Sequence, residues 1–143
     1  MFKNILFSID INDKYSWRNA FPKIIELYNS SKDCKLTIMN VVQTYGLGMM
    51  EEYFPKNWDV EITKKSKTKL NEIVAKNLPA NIKADVIIDK GVVYKAIIER
   101  AEKIDADLII ISAHHPDRKD YLLGPNVAKV VRHAARSVLV LRD

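Results

Sequence analysis

The segment DLIIISAHHPDRKDYLLGPNVAKVVRHAARSVLVLR, from Asp107 to Arg142, contains a complete strand–helix–strand unit. Residues 108–111 (LIII) and 138–141 (VLVL) are short, continuous apolar runs, which is typical of strands covered on both faces. Between them, four apolar residues follow the spacing i, i+3, i+4, i+7 and share one helix face: Val127, Val130, Val131 and Ala134. The segment therefore predicts two parallel strands joined by a helix.

The same alternation extends towards the N-terminus. Three more apolar runs predict strands at residues 5–9, 36–42 and 84–88. Three segments with helical spacing predict helices at residues 17–27, 62–74 and 93–104. The order β-α-β-α-β-α-β-α-β implies parallel strands joined by right-handed crossovers. We therefore expect an α/β fold with a doubly wound, five-stranded parallel sheet and helices on both faces.

The chain has the length of one ordinary domain, and we expect a single domain over residues 1–143. One cysteine, Cys34, cannot form an internal disulfide, so nothing points to an oxidising compartment. The N-terminal residues lack an apolar stretch long enough for a signal peptide, and no run approaches the ~20 apolar residues needed to span a bilayer. We expect a cytoplasmic protein without a membrane partner.

The formal net charge of +5 invites an anionic partner but does not specify one. The densest basic stretch comprises the lysines at 64, 65, 67 and 69, between Ile62 and Leu70 of a predicted helix. A nucleic-acid-binding segment is expected to carry aromatic platforms or a known motif beside such a stretch. We interpret these lysines as a solvated outer helix face and do not expect a nucleic-acid partner.

Ligands of open parallel sheets bind outside the carboxyl ends of the strands, where the strand order reverses. The first predicted strand ends in Ser8-Ile9-Asp10. The second ends near Val41, and the fourth runs into Ser112 and a polar loop. Any ligand site is therefore expected at this edge of the sheet.

The polar loop leads into a helix at Gly124-Pro125-Asn126. Gly124 suits the cap, and Pro125 suits the first helical position because its missing N–H would have no intrahelical partner there. The free N–H groups of Asn126 and Val127, together with the helix dipole, favour an anion such as phosphate. A bulky residue at Gly124 is expected to obstruct the phosphate and to disfavour a positive φ.

The loop itself contributes candidate phosphate-binding side chains. His114, Arg118 and Lys119 face the predicted helix start, and the guanidinium fork of Arg118 suits phosphate oxygens. An ordinary helix start without a ligand explains the same residues, so both interpretations stay open at this point.

Other site chemistries have less support. His114 and His115 point to opposite sides of an extended chain and His133 lies near a helix end, so we expect no metal site. No Gly-x-Ser-x-Gly elbow indicates a serine hydrolase. A response-regulator phosphoacceptor would need an adjacent acidic pair, whereas Asp10 and Asp13 are separated. Because no hydrolytic constellation remains, we do not predict an enzyme.

Several segments resemble the universal stress protein family. One is ILFSID at residues 5–10. The resemblance rests more heavily on DLIIISAH at 107–114, LLGPNVA at 122–128, VRHA at 131–134 and SVLVLR at 137–142. The order and spacing of these segments cover the whole chain. They are most similar to the F/G-type branch, which has a shortened loop with His-x-Pro-Asp before Leu-Leu-Gly.

The resemblance implies a five-stranded parallel sheet, a homodimer and, in many members, ATP binding. The usual nucleotide signature of the family is Gly-x-x-Gly, nine residues, then Gly-Ser or Gly-Thr. Here Ala113 and Pro116 stand at the first two glycines, and Pro125 replaces the hydroxyl residue. The gap from Pro116 to Gly124 is two residues shorter than the usual one. The branch with the shortened loop carries a similar His-x-Pro-Asp segment, which keeps nucleotide binding as the expectation.

The family pattern also implies roles for individual residues. Asp10 would accept hydrogen bonds from ribose hydroxyls, and Val41 would line the adenine pocket. Ala113 and His114 would lie under the phosphates, and the following helix start would donate to them. The complete candidate site, for ATP with Mg²⁺ as a companion ion, is Ser8, Ile9, Asp10, Val41, Ser112, Ala113, His114, Arg118, Gly124, Pro125, Asn126 and Val127.

The last apolar run is predicted to be an edge strand because no crossover follows it. An apolar edge with unpaired amides is a liability in a monomer, and antiparallel pairing with a twofold-related copy satisfies both edges. The predicted homodimer interface is Ser137, Val138, Leu139, Val140 and Leu141. We expect a nucleotide-binding regulatory protein of the stress response; a dimeric interaction module without nucleotide and a slow ATPase are the alternatives.

Overall fold

The computed structural model describes residues 1–44, 57–113 and 123–142. The strands in these ranges are β1 (Asn4–Ser8), β2 (Lys35–Gln43), β3 (Ala84–Gly91), β4 (Leu108–Ser112) and β5 (Ser137–Leu141). The helices are α1 (Phe21–Asn29), α2 (Trp58–Asn77), α3 (Val93–Lys103) and α4 (Pro125–His133), with a short 3-10 helix at Lys14–Ser16. No helix in these ranges is both long enough and apolar enough to cross a membrane.

The five strands form one parallel sheet in the order β3-β2-β1-β4-β5. The register sets Ile5 of β1 between Leu36 of β2 and Leu108 of β4. The chain proceeds outwards from β1 to β3 and then crosses back to β4, so the strand order reverses between β1 and β4. This reversal leaves an open crevice beside the carboxyl ends of the central strands.

Separate apolar layers cover the two faces of the sheet. α1 and α2 pack on one face through Phe21 and Leu70, which lie in the same cluster as Phe7 of β1. α3 and α4 pack on the other face through Ile97 and Val130. The rings of Phe7 and Phe21 meet edge to face with their centroids 5.6 Å apart. The doubly wound, five-stranded fold predicted from the sequence is confirmed.

The first helix begins later than its apolar spacing predicts. Residues 17–20 form turns after the 3-10 helix, and α1 begins at Phe21 with Pro22 next to it. Proline suits the first turn of a helix because an N–H there would have no intrahelical partner. Trp17 still packs against Phe21, with ring centroids 6.5 Å apart. Trp17 therefore fits the apolar pattern of α1 without belonging to the helix.

β3 and β5 are the two edge strands of the sheet. The position of β5 agrees with the sequence prediction, and its residues from Val138 to Leu141 are half-buried. On the other edge, the ammonium group of Lys67 donates a hydrogen bond to the carbonyl of Val86. A lysine from α2 therefore covers one backbone acceptor of β3.

Candidate functional site

A cleft of about 620 Å³ opens at the carboxyl ends of β1, β2 and β4, where the strand order reverses. It is lined by residues 8–13 after β1, by residues 40–43 at the end of β2, and by residues 111–112 of β4. The first half of α2 and the first turns of α3 and α4 complete the lining that the structure describes. A cleft of this volume is large enough for a small organic ligand.

The loop after β1 is held in place by its own side chains. The hydroxyl of Ser16 accepts a hydrogen bond from the amide of Asp10 (2.9 Å) and donates to the carbonyl of Asp13 (2.7 Å). The Asp10 carboxylate accepts from the amide of Asn12 at 2.9 Å, and the Asp13 carboxylate accepts from the amide of Tyr15 at 3.0 Å. The protein's own hydrogen bonds therefore hold the Asp10 carboxylate in the wall of the cleft.

Asn40 connects this loop to β2. Its Oδ1 accepts a hydrogen bond from the amide of Ile11 at 3.2 Å, and the residue is only 4% exposed. That bond fixes the orientation of the side-chain amide, so Nδ2 is the group left to donate. Nδ2 has no partner within the described residues, and Asn40 lines the cleft beside Val41. Since Nδ2 is not one of the fully buried, unpartnered atoms of the described residues, it is accessible from the cleft and can donate to water or to a ligand there.

The start of α4 confirms the predicted capping. Gly124 is the N-cap and Pro125 is the first helical residue. The first backbone bond of the helix runs from the amide of Ala128 to the carbonyl of Gly124, at 2.9 Å. Within the described part of the chain, the amides of Asn126 and Val127 have no hydrogen-bond partner, and both residues line the cleft. Two such amides at a helix N-terminus suit an anion.

Gly124 does not adopt the backbone conformation expected from the sequence. Its φ is −59° and its ψ is 160°, which any residue adopts. The expectation that a side chain at Gly124 would disfavour a positive φ is therefore wrong. The steric argument, that a side chain would obstruct a ligand, is the one that remains. By contrast, Gly91 at the end of β3 has a φ of +122°.

The structure brings most of the predicted site together. The predicted residues that line the cleft are Ser8, Ile9, Asp10, Val41, Ser112, Asn126 and Val127. Ala113, Gly124 and Pro125 adjoin these residues in sequence but are not part of the lining that the structure describes. His114 and Arg118 lie outside the described residues, so their roles stay predictions.

The contribution of α2 to the cleft was not predicted from the sequence. Ile62, Lys65, Ser66 and Lys69 follow the spacing i, i+3, i+4, i+7 and line the cleft. The interpretation of the lysines as a solvated outer face is therefore incomplete: they are exposed, but two of them border the cleft and Lys67 bonds to β3. The helical spacing is visible in the sequence, but it does not say which face of α2 turns towards the strand ends.

In the described part of the chain, three groups have clearly shifted pKa values, and none of them lines the cleft. Burial raises the pKa of the Cys34 thiol. The hydrogen bond from Lys90 lowers the pKa of the Asp59 carboxyl. Hydrogen bonds to Asp89 raise the pKa of the Arg100 guanidinium. These shifts arise from burial and ion pairing away from the cleft, so none of them marks an acid–base catalyst there.

About half of the sequence is similar to curated proteins. Universal stress protein G of Salmonella typhimurium is 41% identical over 64 residues, which are 45% of this chain and 44% of that protein. The protein of the same name from Escherichia coli O157:H7 is 39% identical over 64 residues, which are again 45% of this chain and 44% of that protein. The match thus spans less than half the length of each relative.

Solved structures share the fold along almost the whole chain. Hypothetical protein MJ0577 superposes with a TM-score of 0.79 at 23% identity, covering 100% of this chain and 97% of that one. A universal stress protein family member from Burkholderia pseudomallei superposes with a TM-score of 0.71 at 18% identity, covering 99% of this chain and 96% of that one. A universal stress protein in complex with cAMP superposes with a TM-score of 0.62 at 17% identity, covering 99% of this chain and 97% of that one.

These structural matches establish the fold, and the family comes from the sequence. The family model described as "Universal stress protein family" matches residues 1–142. The resemblance of segments at both ends of the chain agrees with that match, as does the parallel sheet in the order β3-β2-β1-β4-β5. The chain belongs to the universal stress protein family.

Proposed function

We propose that this protein binds an adenine nucleotide, with ATP as the first candidate, in the cleft at the carboxyl ends of β1, β2 and β4. One observation carries the proposal: the cleft combines the Asp10 carboxylate and the apolar Val41 with the unpartnered amides of Asn126 and Val127. A nucleotide needs acceptors for its sugar hydroxyls, apolar contact for its base and donors for its phosphates. The relative in complex with cAMP supports the same ligand class.

Each group of the ligand has a partner in this proposal. Asp10 accepts hydrogen bonds from ribose hydroxyls, and Val41 packs against the base. The amides at the start of α4 donate to a phosphate and are helped by the helix dipole. His114 and Arg118 contact the phosphates from the loop before α4, and Mg²⁺ accompanies the phosphates.

In this proposal the protein is a homodimeric regulator of the stress response. The bound nucleotide shifts the equilibrium between two of its conformations. A ligand shifts an equilibrium between two states in proportion to its difference in affinity for them. The dimer forms through β5, which is an edge strand with half-buried apolar side chains. A dimeric interaction module without nucleotide and a slow ATPase are the competing functions.

Calorimetric titration with ATP, with and without magnesium, tests the proposal. We expect saturable binding and at least about tenfold weaker binding by Asp10→Asn, which loses a charged acceptor. Asp85→Asn on β3, an exposed carboxyl that does not line the cleft, is the matched control. No heat at millimolar ATP, in protein shown to be folded by circular dichroism, would contradict nucleotide binding.

Two further measurements separate the competing functions. Mass spectrometry of the ligand released from denatured pure protein detects a nucleotide that co-purifies, which a nucleotide-free interaction module would lack. ATP turnover that follows the protein through every purification step would favour the slow ATPase.

A further inference from the structure

One wall of the cleft carries two lysines, whereas the two carboxylates of the lining lie on the loop after β1. Lys65 and Lys69 are one turn apart on α2, and both line the cleft. Like charges at positions i and i+4 of a helix repel each other. Within the described residues neither lysine forms a salt bridge, and Lys69 donates a hydrogen bond to the neutral Oδ1 of Asn12 at 3.2 Å. An anion in the cleft would relieve this repulsion.

Buried polar groups accompany the two lysines. Ser66, the residue after Lys65 in α2, is 6% exposed and also lines the cleft. Its hydroxyl forms no hydrogen bond with the described residues and, unlike the Nε1 of Trp17, it is not sealed from the cleft. The Nδ2 of Asn40, at the end of β2, is the second unpartnered donor in this cleft. Both groups belong to largely buried residues that line the cleft, so the partner available to them is water or a ligand in the cleft.

The carboxylates of the cleft do not supply that partner. Asp10 and Asp13 also line the cleft, but each accepts a hydrogen bond from an amide of its own loop. No salt bridge joins either of them to Lys65 or Lys69 among the described residues. The two lysines therefore remain available to an anion from outside the protein.

The α2 wall and the start of α4 lie on opposite faces of the sheet. α2 packs in the apolar layer of one face and α4 in the layer of the other, and the cleft passes over the strand ends between them. The amides of Asn126 and Val127 take one anionic group in the function proposed above. A ligand that also contacts Lys65 and Lys69 must carry a second anionic group, separated from the first.

We infer that Lys65, Ser66 and Lys69 form a second anion subsite, and that the ligand is an adenine nucleotide with a second phosphate on the 3′ oxygen of its ribose. The 2′ hydroxyl of such a ligand remains to donate to Asp10. This inference rests on the proposed nucleotide binding, since α4 holds the first phosphate group. A lysine ammonium binds phosphate as a mobile point charge and does not need one fixed geometry. Two exposed lysines on the wall of an open cleft fit that chemistry.

The test compares adenosine 3′,5′-bisphosphate with AMP by calorimetry. The unmodified protein should bind the bisphosphate at least about tenfold more tightly than AMP, the value of one charge-assisted contact. The double variant Lys65→Ala/Lys69→Ala should lose this preference and keep its AMP affinity within about twofold. The control is Lys64→Ala/Lys76→Ala, which removes the same charge from exposed positions of α2 that do not line the cleft.

The outcomes separate this subsite from nucleotide binding itself. Equal affinities for the two probes in the unmodified protein, or a preference that survives in Lys65→Ala/Lys69→Ala, would overturn the subsite and leave nucleotide binding intact. If the control Lys64→Ala/Lys76→Ala loses the preference for the bisphosphate to the same extent, that preference arises from the general charge of α2. This result would also overturn the subsite. If folded protein binds neither probe nor ATP, the subsite and the proposed function both fail.

Discussion

Gly91 and Gly124 differ in what they require of the backbone. Gly91 has a φ of +122°, a conformation that residues with a side chain rarely adopt, and a Cβ built there meets no atom within 4 Å. The strain of a substitution at Gly91 is therefore conformational and not steric. Gly124 has a φ of −59° and tolerates any residue in this respect. A side chain at Gly124 is then expected to act on the ligand and not on the fold.

This contrast gives a paired prediction. Gly91→Ala should lower the free energy of unfolding by about 1 kcal/mol or more because of its positive φ. Gly124→Ala should change it by less than about 0.5 kcal/mol, and Gly124→Val should weaken ATP binding in a folded protein. Urea denaturation and calorimetry measure the two effects. Full ATP affinity in Gly124→Val, or its unfolding, would contradict the steric role.

Cys34 gives a prediction about pH. The thiol is buried, 7% exposed, and burial raises its pKa in the folded state. An acid whose pKa is higher in the folded state contributes its full stability below the unfolded pKa and loses it as the pH rises through the folded value. We expect the free energy of unfolding to fall above roughly pH 8.5, where an exposed thiol ionises.

The measurement for Cys34 is denaturation across this pH range beside Cys34→Ala, which should lack that part of the decline. Tyrosines and lysines titrate in both proteins, so the difference between the two curves isolates the thiol. Alkylation by iodoacetamide should be slow in the folded protein and fast in urea. Parallel pH curves for the two proteins would contradict the prediction.

At the scale of elements, the apolar patterns predict the strands better than the helix starts. Strand positions follow from runs such as residues 108–111, because a strand covered on both faces has to be apolar throughout. The start of α1 is less predictable, since Trp17 packs on the core from a turn and mimics a helical position. The cleft-lining face of α2 could not be predicted, because its orientation depends on packing against β2 and β3.

The same dependence on tertiary packing applies to the candidate site. Asp10, Val41 and Asn126 follow from strand ends and a helix start, which the sequence marks clearly. The buried Asn40 and Ser66 do not follow, because neither residue belongs to a local motif. Their place in the cleft becomes visible when α2 is positioned above the end of β2.

A bidentate ion pair joins α3 to β3. The guanidinium of Arg100 donates to both carboxylate oxygens of Asp89, at 2.8 and 2.6 Å, and the side chains are 20% and 21% exposed. Arg100→Met should lower the free energy of unfolding by about 1–3 kcal/mol because it leaves Asp89 unpaired in a half-buried position. The more exposed pair of Lys90 and Asp59 is the comparison, and its loss should matter less.

A double-mutant cycle of Arg100→Met with Asp89→Asn separates the pair from its surroundings. Adding Asp89→Asn should recover part of the stability lost in Arg100→Met, because no unpaired charge then remains. If the two substitutions are additive in thermal or urea denaturation, the ion pair does not stabilise the contact between α3 and β3.

At the scale of the whole molecule, the cleft and the β5 edge share elements. α4 begins at the cleft, where Asn126 and Val127 lie, and leads directly into β5. Next to the cleft, the amide of Ala113 donates to the carbonyl of Leu141 at 2.9 Å. A ligand at the start of α4 and a partner on β5 would therefore act on the same segment. Any coupling between them must be reciprocal.

The proposed dimer interface can be tested by a substitution in β5. Leu139→Pro removes a backbone donor from the middle of β5 and should shift the protein from dimer towards monomer in sedimentation velocity. Ile87→Pro, in the middle of the other edge strand, is the control. It should also cost stability but should leave dimerisation of the folded fraction unchanged. If the unmodified protein sediments as a monomer at high micromolar concentration, the β5 interface is wrong.

Lys67 of α2, which bonds to β3, limits how far such an assembly can grow. If β5 pairs with its symmetry copy, both outer edges of the joined sheet are β3 strands, and each has its Val86 carbonyl occupied by Lys67. A further strand added there would displace this hydrogen bond and bury an ammonium group, which edge strands use to prevent addition. On this interface we therefore expect a closed dimer and no growth into a fibre. Raising the concentration should increase the number of these dimers but not their size.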